Sequence, residues 1–193
     1  MSSLHEPGRA DGRRNAGRIL DAAARAIAEN PVASLEAIAS RAGVSRATLY
    51  HHFASRDALL DALTDRSVRV STAALMAARP AEGTPVEAME RLLLAAWEVI
   101  GRYRGLAIVN PQRLERGELR ARLEPALAIL RSLIRRGQHA GEFDPDLPSD
   151  WLMGTLIDLI HAASRQVTSG TMDAPTAERA LLRSATATLT SHR

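Results

Sequence analysis

Apolar residues in this chain recur every three or four positions, and no segment alternates polar and apolar residues as a half-buried strand does. Ile19, Ala23, Ala26 and Ile27 show the pattern at i, i+4, i+7 and i+8. Aromatic side chains, which favour strands, make up only 3% of the 193 residues, while alanine-rich runs such as 21–26 favour helix. These features predict an all-α chain of about nine helices. The longest nearly apolar run, 151–163, is interrupted by Asp158 and is too short to span a bilayer. No membrane partner is expected.

Local signals divide the chain. Residues 1–12 hold Pro7, Gly8 and Gly12 without periodicity, so they read as a mobile arm. A helix is expected from about Arg13 to Glu29, stopped by Asn30-Pro31. Ser34 can cap a second helix over 35–41, Gly43 ends it, and Ser45 caps a third from Arg46 to about His52. A longer helix opens at Ser55 and is expected to reach Arg79, before Pro80. Thr84-Pro85-Val86-Glu87 combines a capping box with proline at the first helical position. That helix should run to about Ile100, and a short, broken one should follow near 102–109. A helix over about 117–140 contains Pro125, where a kink or break is expected, and Gly141 stops it. Helices near 149–168 and 175–191 complete the chain. The expected organisation is an arm (1–12), a head (13–56) and a helical body (57–193).

Two absences narrow the chemistry. Without cysteine there is no disulfide, no thiolate nucleophile and no zinc site with sulfur ligands. All 25 basic residues of the Lys+Arg count are arginine, so the lysines of P-loops, Schiff-base enzymes and kinases are missing too. No GxSxG, HExxH or GxGxxG motif is present. An enzymatic body therefore has little support, and no catalytic residue, metal or cofactor is expected. The acidic row Asp57, Asp61, Asp65 reads as a solvated helix face before it reads as a metal site. The net charge of +3 is unevenly placed: residues 1–56 hold eight arginines against five acids, and the remainder is balanced. A polyanion-binding head on a neutral body fits this asymmetry.

The segment 35–54, LEAIASRAGVSRATLYHHFA, has the spacing of a helix-turn-helix. Ala39, four residues before Gly43, permits close helix approach, and the glycine permits the positive φ of the turn. Ile38, Val44 and Leu49 are placed to fill the space between the helices, which leaves Arg46, Ala47, Thr48, Tyr50 and His51 facing outward. In such motifs the start of the second helix meets base edges in the major groove. Backbone N–H groups there also favour a phosphate. The helix-opening Ser34 and Ser45 join the candidate DNA-binding set. Arg13 and Arg14 join it as phosphate or minor-groove contacts, with a solvated helix end as the alternative.

The run 34–63, SLEAIASRAGVSRATLYHHFASRDALLDAL, resembles the DNA-binding signature of TetR-type regulators. The matching elements are Ile38-Ala39, Ala42-Gly43-Val44-Ser45, Thr48-Leu49-Tyr50, His52-Phe53 and the run Ser55–Leu59. The resemblance implies that Thr48, Tyr50 and Arg56 contact the DNA backbone, Arg56 standing where the family usually has lysine. It implies that Arg46, Ala47 and His51 read bases, while His52 packs beside Phe53. It further implies a homodimeric repressor on a palindromic operator, released by a small molecule, and a cytoplasmic location is expected from the lack of cysteine and of an apolar export stretch in MSSLHEPGRADGRR. A DNA-binding protein with no effector is the alternative.

In the body, Met89, Leu93, Trp97, Tyr103, Met153 and His161 are candidate lining for an apolar or amphipathic ligand, with plain core packing as the competing reading. Asp158, His161 and Arg165 form a polar stripe that could face ligand, partner or solvent. Leu152, Leu156, Ile160, Ala163, Leu181, Ala185 and Leu189 are the candidate dimer surface, a four-helix bundle between two chains, with burial inside one chain as the alternative.

Overall fold

A computed structural model describes residues 7–190, apart from the side chains of 7–10, Arg13 and Arg116. Among the described residues there are nine α-helices and no strand. They are α1 (Pro7–Glu29), α2 (Leu35–Ala42), α3 (Arg46–His52), α4 (Arg56–Ala77), α5 (Pro85–Tyr103), α6 (Leu106–Arg113), α7 (Arg116–His139), α8 (Ser149–Thr168) and α9 (Ala174–Leu189).

The differences from expectation have local causes. Residues 7–12 belong to α1 and are not an arm, because Pro7 takes the first helical position, where its missing N–H costs nothing. Residues 1–6 and Ser191 lie outside the described residues. Helix α4 ends at Ala77, since Arg79 precedes a proline and adopts φ +52°. Pro125 does not end α7, which continues past it to His139. The capping box forms in full: Thr84 N–H donates to Glu87 Oε2 at 3.0 Å, and Glu87 N–H to Thr84 Oγ1 at 3.2 Å.

The chain forms two compact units, and their boundary lies within α4, after Arg66. The head runs to Arg66 and also takes in 102–113, so α6 belongs to it. Its core is Ile19, Ala23, Ile27, Ile38, Leu49, Leu59 and Leu63, all but sealed from solvent. Gly105 lets α6 approach α1: a Cβ there would stand 2.6 Å from the Ile27 carbonyl oxygen. Arg113 then holds α4 through Asp61 at 2.9 Å and Asp57 at 3.5 Å. Two members of the acidic row are thus partners of an arginine.

The body comprises 67–101 and residues from Leu114 onward. Its core draws on α5, α7, α8 and α9, through residues such as Leu92, Leu133, Ile134, Leu152, Leu156 and Leu181. The turn after α7 closes over it, with Phe143 stacked where a Cβ on Gly137 would come within 2.0 Å of its ring. Arg91 and Arg136 tie down the α4–α5 loop, donating to the carbonyls of Glu82 at 2.6 Å and Pro80 at 3.0 Å respectively.

This core corrects the dimer assignment. Leu152, Leu156, Ile160, Ala163, Leu181, Ala185 and Leu189 are all buried within the chain itself. They make up the apolar seam between α8, α9 and the rest of the body, and offer almost no surface to a second chain. The face of α8 that remains outside carries Trp151, Asp158 and Arg165.

Candidate nucleic-acid interface

The head presents one short helix on a rigid mount. Ser34 caps α2, its Oγ accepting from Ala37 N–H at 3.1 Å. Gly43 ends α2 at φ 64°, ψ 39°, and Val44 N–H folds back onto the Ala39 carbonyl at 3.1 Å. Arg18 Nη2 donates to the Ala42 carbonyl at 2.8 Å, which pins the turn to α1. Ser45 then caps α3, accepting from Thr48 N–H at 3.0 Å, with the two hydroxyls 2.8 Å apart. Leu49 points inward and is fully buried. Rotating about α3 from Leu49 brings Arg46, Ala47, Tyr50 and His51 into solvent, and leaves Thr48 half-buried beside its cap.

The outward face is organised before any DNA arrives. The Arg46 guanidinium lies over the Tyr50 ring, 5.4 Å from its centroid, and Nη1 reaches Glu36 Oε1 on α2 at 2.5 Å. Both partners of this ion pair are well exposed, so it is weak in water and readily exchanged for a base edge or phosphate. His52 is half-buried, its ring 6.3 Å from that of Phe53 and 5.5 Å, edge to face, from that of the exposed His51. Arg14 is exposed and paired with Asp11, while the Arg13 side chain lies outside the described residues.

Arg56, expected at a DNA phosphate, is engaged inside the head in this structure. Its guanidinium turns inward, with Nη2 donating to the Pro31 carbonyl at 2.6 Å and Nη1 to that of Ala33. The planar fork of arginine suits two adjacent carbonyls, as a lysine ammonium would not. It fastens the start of α4 to the short loop that precedes Ser34. The residue type alone gave no sign of this, because the acceptors are backbone atoms.

The expected ligand set is not brought together. Tyr103 is buried within the head, whereas Met89, Leu93 and Met153 are buried in the body. Trp97 packs half-buried against the body core, and His161 is half-buried on α8. Met89 and Leu93 do line a cavity of about 170 Å³, but its other walls are Val86, Phe143, Leu182 and Leu189. Glu90, Arg183, Thr186 and Thr190 supply its polar edge. Of its α9 lining, Leu189 was expected at the dimer surface, and Leu182, Arg183, Thr186 and Thr190 carried no sequence signal of a pocket.

A head of this geometry, in a chain that also forms a separate helical body, is that of a helix-turn-helix protein. The sequence profile described as "Bacterial regulatory proteins, tetR family" matches residues 19–63, from α1 through the first turns of α4. The HTH-type transcriptional regulator NfxB of Pseudomonas aeruginosa is 30% identical over 149 residues, covering 75% of this chain and 78% of NfxB. The HTH-type transcriptional repressor LfrR of Mycolicibacterium smegmatis is 30% identical over 152 residues, covering 79% of this chain and 78% of LfrR. The crystal structure of LfrR in complex with proflavine superposes with a TM-score of 0.78 and 26% identity, over 96% of this chain and 99% of that one. The chain belongs to the TetR family of DNA-binding transcriptional regulators, a family of regulators and not of enzymes.

Proposed function

We propose that this chain is a cytoplasmic repressor that binds a palindromic operator as a homodimer and is released by an apolar or amphipathic small molecule held in its body. The observation that carries the DNA half of this reading is the face of α3. Arg46, Ala47, Tyr50 and His51 stand in solvent at the start of a capped helix whose Leu49 anchors it to the head. Arg46 has the donors to engage guanine O6 and N7 together, which is worth about 1–3 kcal/mol of base discrimination. Ser45 N–H and its neighbours offer the helix N-terminus to a phosphate. Tyr50 and Thr48 supply hydroxyls for the backbone.

The release half rests on chain connectivity. Helix α6 belongs to the head but is joined at either end to α5 and α7, which build the body. It is fastened to α4 by Arg113 and by the Asn110–Thr64 hydrogen bond. A ligand that moves α5 or α7 therefore pulls on α6, and α6 on the helix that follows α3. The cavity lined by Met89 and Leu93 supplies an apolar wall with a polar edge for such a ligand. LfrR, which this chain resembles, has been crystallised with proflavine, and that supports a small-molecule effector here. Operator and effector then oppose each other by the same factor in both directions.

The test has two stages. Thermal-shift screening of apolar and amphipathic compounds should find binders that raise the melting temperature, and these should lower affinity for the operator in a binding titration. Binders that leave operator affinity unchanged would instead make this an effector-independent DNA-binding protein.

A further inference from the structure

The outer face of α7 carries more positive charge than its surroundings cancel. Arg131, Arg135 and His139 stand in line at i, i+4 and i+8. Arg131 is neutralised by Glu124 at 2.7 Å and Asp150 at 3.3 Å. Arg135 and His139 are exposed, and among the described residues neither forms a hydrogen bond or an ion pair. Arg136 donates only to carbonyls, those of Pro80 at 3.0 Å, Gly83 at 3.0 Å and Ala81 at 3.4 Å, so no carboxylate offsets its charge. Its Nε is buried and has no acceptor. Cations near the end of a helix offset the macrodipole, but that amounts to only about half a negative charge. Arg135 and Arg136 together bring more than the helix end can offset.

The same face is hollowed. Ala128 and Ser132, one turn apart, are short side chains beside the long row of Arg131, Arg135 and His139. Two adjoining grooves share them, together with Arg136. The first, of about 530 Å³, is walled by the basic side chains of that row. The second, of about 340 Å³, is walled by Met76 at the end of α4, by Pro80 and Ala81 of the loop that follows, and by Ile129 and Leu133. Met76 is 58% exposed. Both volumes fall within the range of small-molecule sites, about 300–1,000 Å³. Among the described residues no carboxylate lines either groove. One groove is therefore cationic and the other apolar, and both lie within the body.

We propose that the two grooves together bind a small amphipathic anion, an unbranched alkyl carboxylate, with its headgroup between Arg135 and His139 beside Arg136, and its chain along Met76, Pro80 and Ile129. A carboxylate suits the cationic groove because a guanidinium meets it through two parallel N–H···O bonds, and Arg135 has its donors free for them. The alkyl chain removes apolar surface of the second groove from water, which stabilises the complex in proportion to the area covered. An uncharged chain leaves the arginines unanswered, and an anion without a chain leaves the apolar groove wet. The site shares no lining residue with the cavity of Met89 and Leu93. It is therefore independent of the effector proposed above.

The absence of cysteine gives a direct readout in the full chain. Ser132→Cys places a single thiol in the grooves, and Thr186→Cys places one in the other cavity. Sodium decanoate, kept below its micellar concentration, should slow alkylation of Ser132→Cys by N-ethylmaleimide at least fivefold and leave that of Thr186→Cys unchanged. Acetate, the headgroup alone, and octyl glucoside below its micellar concentration, a chain without charge, should each protect far less at the same concentration. Adding Arg135→Gln and His139→Gln to Ser132→Cys should raise the decanoate concentration for half-protection at least tenfold, and adding Met76→Gln should raise it as well. All of these side chains are exposed, and an unchanged helical circular-dichroism spectrum establishes that each variant is folded. Decanoate that fails to protect, or that protects equally well after these substitutions, overturns the site. Equal protection by acetate reduces it to a simple anion contact, and equal protection by octyl glucoside to an unselective apolar groove, so either result overturns the amphipathic ligand. Protection of Thr186→Cys alone assigns decanoate to the other cavity, which overturns this site while supporting the effector reading.

Discussion

Asn110 Nδ2 donates to Thr64 Oγ1 at 3.1 Å, and both side chains are all but sealed inside the head. The Thr64 hydroxyl in turn donates to the Leu60 carbonyl at 2.8 Å, and Arg113 Nη1 reaches Asn110 Oδ1 at 3.3 Å. A buried hydrogen-bonded chain therefore runs from α6 into the middle of α4. Removing one partner leaves the other without its bond in an apolar setting, which costs about 1–3 kcal/mol. Asn110→Ala should lower the melting temperature by several degrees. It should also blunt the effect of a bound effector on operator affinity more than it changes operator affinity itself. Thermal unfolding and binding titrations with and without effector measure the two effects.

Arg56 should behave as a fastener and not as a phosphate contact. Each phosphate contact removed lowers the slope of log affinity against log salt by about one. Arg56→Gln should leave that slope close to the original while lowering head stability, because the carbonyls of Pro31 and Ala33 lose their donors. Arg56→Lys should restore little of the stability. A slope that falls by a full contact in Arg56→Gln would show that the residue reaches DNA as well.

Under the DNA reading proposed above, Glu36 competes with DNA for Arg46. Its carboxylate must release the guanidinium before Arg46 can meet a base or a phosphate. Removing the charge in Glu36→Gln should strengthen binding to all duplexes, and proportionally more to non-operator DNA, so that the specificity ratio falls. Competition titrations against random-sequence duplex give that ratio directly.

His161 gives the body a pH dependence. Burial holds its imidazolium below the ordinary range, the neighbouring Arg165 acts in the same sense, and Asp158 opposes both. The unfolded chain thus takes up this proton more readily than the folded one, so stability rises with pH across the interval between the two. The contribution is complete at neutral pH and declines as the pH drops through the range where a free imidazole protonates. His161→Asn should flatten the melting temperature over that range, and thermal unfolding in a pH series checks it.

The helices themselves were legible in the sequence because their ends carry chemistry: Ser34, Ser45, the Thr84–Glu87 box and Gly141 all act where periodicity alone would predict. The outward face of α3 was legible for the same reason, since its inward residue, Leu49, is fixed by spacing from Ile38 and Ala39. Three features were not. Pro7 and Gly12 read as an arm because turn-forming residues look alike whether or not a helix continues through them. The partners of Arg56 are backbone carbonyls, which no side-chain pattern reveals. The faces of α8 could not be ranked, since its apolar residues occupy so much of the circumference that only the packed body shows which side is inside.

The most direct test of the account is selection of bound duplexes from a random-sequence pool, using the unmodified chain and Arg46→Ala and Tyr50→Ala variants. The account predicts that the unmodified chain enriches a twofold-symmetric site, its half-sites spaced so that two α3 helices enter the major groove on one side of the duplex. Arg46→Ala should enrich the same site with preference lost at one base pair in each half, and Tyr50→Ala should bind that site with lower affinity but unchanged preference. A pool with no enriched sequence, or an identical motif and affinity for all three proteins, would contradict the claim that α3 reads DNA.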